Sequence, residues 1–318
     1  MWNKNFEGQI FASLVRINGD YSNNCYAAFF NNDKYFIKKI GVRFHENIDI
    51  TQERIEQTES INKYFYDNGI KTVLAISFDG EYSHRKNNDI WIAYPWIDLQ
   101  SIRNITEELC YDIGLMLKRL HSIPQKLKYI NKQNQQDSPN FNWIDYFQKS
   151  NDISLYPFSK LFDELQYYAN YGDTCLKKIS SDCIEVLSHR DIHLDNLFYN
   201  ENDFVIIDWE LSGCTNPYIE LFDVALNLSG FCQGETNISY FKSVIEGYKN
   251  FDDKAPTYPH FEHIVGSFYF LIIEHMCDLL NAYIFDKAET ILKKANNYLV
   301  QFYELQKFEK EFINILMG

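Results

Sequence analysis

SHRDIHLDN at residues 188–196, followed by VIIDWE at residues 205–210, is the part of the sequence that decides the fold. The first stretch contains H-x-D-x-x-x-x-N, which puts Asp191 and Asn196 on one loop. The second ends an apolar run at Asp208, 17 residues after Asp191. Residues 197–199 and 204–207 flank a turn and predict a hairpin that returns the chain to the loop. Three polar side chains are therefore expected to converge on one site.

These residue types match what phosphoryl transfer requires. One carboxylate must face the attacking hydroxyl, and an amide and a second carboxylate must hold Mg²⁺ on the nucleotide phosphates. Asp191 is therefore expected to contact the substrate hydroxyl, and Asn196 and Asp208 to supply hard oxygen ligands to Mg²⁺. His189, also placed in the catalytic loop, is expected to order that loop, because Asp191 already fills the role of base. The alternative is a surface loop in which Asp and Asn cap a turn.

The two stretches resemble the signature of the aminoglycoside phosphotransferase and choline kinase group of small-molecule kinases, relatives of the protein kinases. The resemblance implies an α+β, bilobal, protein-kinase-like fold. It has a small antiparallel-sheet N-terminal lobe that binds the nucleotide, and a mostly helical C-terminal lobe with the catalytic loop and the substrate pocket. The sequence changes character after Pro95, which predicts lobes at residues 1–95 and 96–318.

Hydrophobic periodicity and turn residues agree with this division. In the N-terminal part, strands are predicted at 10–17, 25–30, 34–40, 73–78 and 90–94, with a helix at 51–67. In the remainder, helices are predicted at 108–122, 144–147, 158–171, 173–187, 220–228, 239–250, 259–282 and 287–317.

A lysine on the third predicted strand is the candidate partner of the nucleotide phosphates. Alternation along a strand puts Phe36 and Lys38 on one face and Ile37 and Lys39 on the other. Lys38 is preferred because members of the resembled family carry lysine after such an aromatic-aliphatic run. The alternative is a solvated lysine pair on an edge strand.

The resemblance also implies residues that contact the nucleotide. Tyr94 and Trp96 fall at the hinge between the lobes, where family members hold the adenine. Asn18–Asn24 resembles the short phosphate loop of small-molecule kinases, in which backbone amides and a serine hydroxyl, here Ser22, would contact phosphate. An ordinary hairpin turn is the alternative for this loop.

The helix at 51–67 departs from the family pattern. The position that should carry a glutamate to pair with Lys38 is Thr58. Glu59 and Glu56 lie on either side of it, and Glu59 is the candidate replacement. If neither pairs with the lysine, Lys38 is held in a different way.

Composition narrows the possible partners. The 318 residues are 46% hydrophobic and 17% aromatic, which is enough for a large core. A net charge of −14 argues against nucleic acid and would attract a cationic substrate. Seven cysteines form no CxxC pair, and neither a secretion signal nor an apolar run long enough for a membrane span is evident. A cytoplasmic protein without a membrane partner is expected.

The resemblance implies transfer of the γ-phosphoryl group of ATP or GTP, with Mg²⁺, to a hydroxyl of a small molecule. An aminoglycoside-type antibiotic is the first acceptor, because the resemblance and the acidic charge agree. Choline, another amino alcohol and homoserine are alternatives, and a resistance role follows only from the family name. A non-catalytic, spore-coat-like member is disfavoured because all three chemical groups are present. VIIDWE in place of DFG disfavours a protein substrate.

Overall fold

The structure is a computed structural model that describes residues 2–17, 24–41, 47–124, 139–150, 152–182, 184–200, 203–250 and 260–318. Its described residues form two compact units. The first comprises Met1–Arg103, Ile123–Ile130 and Leu187–Gly213, and the second comprises Asn104–Ser122, Asn131–Val186 and Cys214–Gly318. The hairpin at residues 197–207 therefore packs with the N-terminal part of the chain. The lobe boundary at residue 95 stays a prediction.

Strands and helices are numbered in chain order. The strands are β1 Val15–Arg16, β2 Cys25–Phe30, β3 Asp33–Ile40, β4 Ser83–Lys86, β5 Asp89–Pro95, β6 Gln100–Ser101, β7 Val186–Ser188, β8 Leu197–Asn200, β9 Asp203–Ile206 and β10 Gly213–Thr215. The helices are α1 Lys4–Ala12, α2 Ile48–Asp67, α3 Glu107–His121, α4 Asn142–Ser150, α5 Tyr156–Ser159, α6 Phe162–Ser181, α7 Pro217–Leu228, α8 Ile238–Asn250, α9 Phe261–Phe285 and α10 Glu289–Met317.

The first unit is built on a five-stranded sheet in the order β1-β2-β3-β5-β4, in which all neighbours are antiparallel. Alternation along β3 gives the sheet two different faces. Ile37 packs with Ala28 and Trp91 in one cluster, whereas Ile40 packs with α2 in another. Since Lys38 lies on the same face as Ile40, the sheet presents its ammonium on the side of α2.

The predicted strand at 10–17 is wrong over most of its length. Residues 4–12 form α1, and only Val15–Arg16 is a strand. The Asn3 side chain accepts a hydrogen bond from the Phe6 amide at 2.9 Å and so caps the helix. Phe6 and Ile10 lie one helical turn apart and are buried against the sheet. The four-residue spacing between the apolar side chains of Phe6 and Ile10 therefore favours a helix.

The predicted strand at 73–78 is also wrong. This segment makes isolated contacts, among them a hydrogen bond from the Ile76 amide to the Ala93 carbonyl at 2.8 Å. The place beside β5 is taken by β4. Glu56 fixes the start of β4, because its carboxylate accepts hydrogen bonds from the Ser83 amide at 2.7 Å and the Ser83 hydroxyl at 2.6 Å.

A second sheet in the first unit carries the hairpin of residues 197–207. Its order is β6-β8-β9, and Leu197 pairs with Ile206 across the hairpin. The predicted strands at 197–199 and 204–207 agree with β8 and β9 to within a residue. The Ile207 amide donates a hydrogen bond to the Asn196 carbonyl at 3.0 Å. This bond ties the loop containing Asn196 to the residue that precedes Asp208.

Close backbone contacts at glycines join the helices of the second unit. Where α3 meets α8, a Cβ added to Gly247 would lie 2.0 Å from the Tyr111 carbonyl oxygen. Where α6 meets α9, a Cβ added to Gly172 would lie 2.5 Å from the Phe270 nitrogen. Separate helices at 158–171 and 173–187 are a wrong prediction: α6 continues through Gly172, and residues 186–188 form β7. Gly172 allows close packing instead of ending a helix.

Among the described residues, α9 is the one helix long and apolar enough to cross a membrane by length and composition. Within the fold, 67% of its apolar window is buried. A core helix passes the same test, so this is weak evidence for a membrane span.

Candidate active site

Two carboxylates converge on the Lys38 ammonium. Lys38 Nζ lies 2.9 Å and 3.0 Å from the two Asp208 carboxylate oxygens and 2.5 Å from Glu210 Oε1. Burial by itself would lower the pKa of Lys38, but the charges and hydrogen bonds of Glu210 and Asp208 outweigh it and raise that pKa. Lys38 is therefore a permanent cation at neutral pH.

Lys39 lies in a different environment from Lys38. Its ammonium pairs with Asp89 at 2.8 Å and lies 5.6 Å from the Trp91 ring centroid. The alternation predicted from the sequence thus puts Lys38, and not Lys39, beside Asp208.

The candidate glutamates of α2 serve neighbours other than the lysine. Glu59 is 3% exposed, and its carboxylate accepts hydrogen bonds from the Tyr94 hydroxyl and from Asn62 Nδ2, the latter at 3.3 Å. Burial raises the pKa of Glu59 to about 7, against the opposing hydrogen bonds from Tyr94 and Asn62. The ion-pair partners of Lys38 are Asp208 and Glu210, so Glu210 occupies the place predicted for a helix glutamate.

The loop at residues 188–196 brings Asp191 and Asn196 together. Asn196 Nδ2 donates hydrogen bonds to the Asp191 backbone carbonyl at 2.9 Å and to Asp191 Oδ2 at 3.1 Å. Arg190 has a φ of 68°, in the left-handed region, and this reversal turns the chain between His189 and Asp191.

A histidine of the same loop interacts with the Asp191 carboxylate. His193 Nε2 lies 3.7 Å from Asp191 Oδ2, which is an ion-pair distance rather than a hydrogen bond. Asp191 raises the pKa of His193, with smaller contributions from the charges of Asp195 and Asp208. Burial alone would raise the pKa of Asp191, but His193, His189 and Asn196 outweigh it and lower that pKa. Asp191 is therefore ionised at neutral pH.

His189 lies beneath the loop and is fully buried. Its Nε2 atom is 2.9 Å from the Ile207 carbonyl oxygen, and its ring meets Trp209 edge-on with centroids 4.8 Å apart. Both contacts join the loop to the residues that flank Asp208. This position agrees with the ordering role predicted for His189, which stays a prediction.

A cavity of about 310 Å³ adjoins Lys38 and Asp208. Tyr94 and Trp96, the two predicted hinge residues, line it, as does Phe36. Trp96 is fixed by a hydrogen bond from its indole to Asp98 at 2.9 Å and by the Lys34 ammonium, 3.3 Å from its ring centroid. Both aromatic rings and charged groups therefore line the cavity. Ser22 lies outside the described residues.

The donor set fits a hard divalent cation. Asp208 and Glu210 already direct carboxylate oxygens at one positive group, and Asn196 supplies an amide oxygen on the adjoining loop. Mg²⁺ takes one or two carboxylates from a protein and completes its shell with phosphate and water. A fully protein-built cage is not required.

The first unit has an antiparallel sheet with a lysine at the cavity and the hairpin of residues 197–207, and the rest of the chain is mostly helical. These features together define a kinase-like fold. The sequence profile of the phosphotransferase enzyme family matches residues 13–256, and the chain belongs to that family. The predicted family and fold class are thereby confirmed.

Solved structures with this fold include enzymes of different substrate classes. A spectinomycin phosphotransferase solved with ADP and spectinomycin is 18% identical, with a TM-score of 0.55 and coverage of 96% of this chain and 92% of that one. An aminoglycoside phosphotransferase from Alicyclobacillus acidocaldarius is 11% identical, with a TM-score of 0.60 and coverage of 96% and 95%. The choline kinase LicA from Streptococcus pneumoniae is 16% identical, with a TM-score of 0.57 and coverage of 93% and 94%.

At these identities the likeness shows the fold alone. No curated protein sequence matches the chain.

Sequence reasoning missed several residues of this site. The sequence does not indicate that Glu210 reaches Lys38, although its spacing from Asp208 is visible in the sequence. Asn62, Thr72 and Trp209 also carry no signal of a role at the site. They lie in three separate segments, and no local pattern indicates that they meet.

Proposed function

We propose that this chain is a Mg²⁺-dependent small-molecule kinase that transfers the γ-phosphoryl group of ATP or GTP to an acceptor hydroxyl. The observation that carries the proposal is the meeting of Lys38 with Asp208 and Glu210, on a hairpin bonded to the loop of Asp191 and Asn196. Titratable groups whose pKa values are shifted by burial and by specific charge partners, and which lie beside a cavity, are typical of functional sites.

Asp191 is the group proposed to act on the acceptor. Its ionised carboxylate accepts a hydrogen bond from the acceptor hydroxyl and orients the oxygen for in-line attack on the γ-phosphorus. Asn196 holds that carboxylate through the 3.1 Å hydrogen bond, which limits the orientations of Asp191. The acceptor proton leaves toward Asp191 as the new P–O bond forms and the bond to the nucleoside diphosphate breaks.

Lys38 is the group proposed to pair with the nucleotide phosphates. Its ammonium lies between the Asp208 and Glu210 carboxylates, so the cluster keeps one uncompensated negative charge that a metal ion would balance. When the nucleotide binds, Lys38 turns to phosphate oxygens, and Asp208 and Asn196 would hold the metal. Bound Mg²⁺ would supply neutralisation of the charge on the phosphates.

The nucleobase is proposed to occupy the part of the cavity that is lined by Phe36, Tyr94 and Trp96. A base there stacks on aromatic rings, and backbone groups near the end of β5 lie within the same wall.

A small cationic molecule is the proposed acceptor, with an aminoglycoside first. The negative net charge favours cations in general and does not distinguish an aminoglycoside from choline or another amino alcohol. The choline kinase fold is as similar as the spectinomycin enzyme, with TM-scores of 0.57 and 0.55, which keeps an amino alcohol as the second candidate. Homoserine is a further candidate acceptor.

Two measurements test the proposal. Thermal unfolding with ATP or GTP should show stabilisation that requires Mg²⁺ and disappears with EDTA. Asp208→Ala should remove the metal-dependent part, whereas Asp203→Ala, which removes a carboxylate from the start of β9, should retain it. A nucleotide-consumption screen over aminoglycosides, macrolides, choline and homoserine then identifies the acceptor. Wild-type protein with no Mg²⁺-dependent stabilisation would contradict the proposal and favour a non-catalytic member.

A further inference from the structure

A chain of buried hydrogen bonds, which we call the buried relay, runs from Trp209 through Thr72 and Asn62 to Glu59. Trp209 Nε1 donates to Thr72 Oγ1 at 2.7 Å, and the Thr72 hydroxyl donates to Asn62 Oδ1 at 2.7 Å. Asn62 Nδ2 donates to Glu59 Oε2 at 3.3 Å. The Tyr94 hydroxyl donates to the other Glu59 oxygen. All the groups thus point their hydrogens toward one carboxylate.

The direction of the relay is fixed by chemistry. An indole N–H can only donate, so the direction is set from the Trp209 end of the relay. Thr72 must therefore accept from Trp209 and donate to Asn62, whose amide can then present only N–H groups to Glu59. The second Asn62 N–H goes to the Val73 carbonyl at 2.9 Å. The relay has a single donor-acceptor arrangement. Breaking the link between Trp209 and Thr72 leaves the indole only a longer hydrogen bond of 3.3 Å to the Ile206 carbonyl.

The relay ends beside a strained backbone position. Asp208 has φ 62° and ψ 62°, a left-handed conformation that a residue with a Cβ rarely adopts. Such a conformation persists only when its surroundings determine it. The next residue supplies that constraint: Trp209 is 2% exposed, stacks on Phe65 with centroids 5.0 Å apart and meets His189 edge-on.

Ring packing alone leaves one freedom to Trp209. An indole held between two rings can still slide or tilt within its plane, and the Asp208 peptide would move with it. The indole nitrogen is held by the 2.7 Å hydrogen bond to Thr72 Oγ1 and by a longer one of 3.3 Å to the Ile206 carbonyl. Thr72 is itself held by a backbone bridge to Ile206, at the end of the strand that leads to Asp208.

We propose that Thr72 and Asn62 are positioning residues for the metal ligand Asp208, acting through the indole of Trp209. The inference rests on the proposed function, because it assigns a purpose to the orientation of Asp208. Groups that orient a metal ligand commonly change metal affinity by about 10-fold or more when they are removed. The relay gives Thr72, which is not among the residues that line the cavity, an effect on metal binding.

Two pairs of proteins isolate the hydroxyl of Thr72. The first pair is wild type and Thr72→Val, a variant that keeps the shape of the side chain and removes the hydroxyl. The second pair is Thr72→Ser and Thr72→Ala, which differ from each other only in that hydroxyl and which replace the first pair if Thr72→Val fails to fold. We expect the valine and alanine variants to need about 10-fold more Mg²⁺ for half-maximal thermal stabilisation by ATP. The serine variant should stay within about twofold of wild type, because it retains the donor and the acceptor.

A spectroscopic readout that does not depend on turnover accompanies the titration. The chain has five tryptophans, so an ¹⁵N-indole NMR spectrum contains five side-chain resonances. Trp209→Phe assigns the resonance of Trp209. In the free protein, Thr72→Val should shift that resonance upfield through loss of the shorter of its two hydrogen bonds, and Mg²⁺ with ATP should move it in wild type. In the valine variant the same movement should require about 10-fold more Mg²⁺.

The outcomes separate this inference from the proposed function. If wild type responds to Mg²⁺ with ATP but the folded Val and Ala variants respond at the same Mg²⁺ concentrations, the relay only supports packing and the inference is overturned. If wild type shows no response to Mg²⁺, the proposed function is removed and the inference goes with it. A right shift in the Mg²⁺ titration for Val and Ala, restored by Ser, supports the positioning role.

Discussion

The two compact units of this chain contain buried polar groups that are satisfied in different ways. In the second unit, His121 contacts Tyr248 through Nδ1 and Glu220 through Nε2, each at 2.9 Å, so both ring nitrogens have a partner. In the first unit, Lys38 lies between two carboxylates, and Glu59 is buried with neutral donors rather than with a cation.

Backbone conformation differs in the same sense. The first unit places Arg190 and Asp208 in the left-handed region at its catalytic loop and hairpin. The second unit uses Gly172 and Gly247, which have no Cβ, where helices approach closely. The comparison indicates that the first unit accepts unfavourable local energy to position charges, whereas the second contributes stability through close packing.

The largest expected effect concerns chemistry in the first unit. Asp191→Asn keeps the shape of the side chain and removes the group proposed to accept the acceptor proton. We expect kcat to fall by about 10²–10⁴-fold, while nucleotide affinity and the melting temperature change little. Steady-state kinetics and calorimetric nucleotide binding measure the two parts. Unchanged turnover would contradict the role of Asp191.

The second prediction concerns packing in the second unit. Gly247→Ala places a methyl group 2.0 Å from the Tyr111 carbonyl oxygen, which is far inside contact distance, so α3 and α8 must separate. We expect a loss of about 2–3 kcal/mol in the free energy of unfolding, measured by urea denaturation.

Gly8→Ala is the matched control for this substitution. Gly8 also lies within a helix, but an added Cβ meets no atom within 4 Å. Helix propensity then favours alanine by up to about 1 kcal/mol. Equal effects of the two substitutions would remove the distinction between the units.

The third prediction follows from the buried carboxyl of the first unit. The pKa of Glu59 is raised from 4.5 to about 7 by burial, and the charge of Lys38 opposes the rise while that of Glu210 adds to it. The folded protein therefore binds more protons than the unfolded chain between these pH values, and its stability decreases as pH rises from about 4.5 to about 7.

Glu59→Gln removes this titration. The stability of wild type relative to Glu59→Gln should fall by up to about 3 kcal/mol across that pH range and stay level above it. Urea denaturation at several pH values measures the difference. A difference that does not change with pH would show that Glu59 is ionised throughout.

The smallest predicted effect separates two adjacent lysines. Lys38→Ala should raise the KM for the nucleotide by about 10-fold, because it removes a charged hydrogen-bond donor to phosphate. Lys39→Ala should leave that KM near the wild-type value, since Lys39 pairs with Asp89 on the other face of the sheet. If the Lys39 variant has the higher KM, the assignment of the phosphate partner is wrong.

Local patterns predicted the part of the site that is close in sequence. The loop of Asp191 and Asn196, the hairpin and Asp208 lie within 18 residues, and their geometry follows from turn and strand chemistry. Alternation along a single strand put Lys38 and Lys39 on opposite faces, and the resemblance to the family then favoured Lys38. Helix α2 and the C-terminal helices were predicted to within a few residues because their periodicity is strong.

The errors occurred where a residue's partner is distant in sequence. Residues 10–17 resemble a strand until Phe6 and Ile10 are seen to pack on the sheet. Gly172 resembles a helix end until α9 is seen to lie against it. The family pattern directed attention to Thr58 and Glu59, whereas the lysine partner, Glu210, comes from the hairpin.

The motif that contains Asp191, Asn196 and Asp208 was sufficient to predict the family and the kinase-like fold, through its resemblance to a known family. The sequence by itself also predicted that these three side chains converge, because a short hairpin has few conformations available. Tertiary structure alone decided that Glu210 reaches Lys38 and that Glu59 meets Tyr94. It also joined Trp209, Thr72 and Asn62. These contacts link segments separated by ten to more than a hundred residues, and only the packing of the whole unit selects them from the many pairs that the sequence allows.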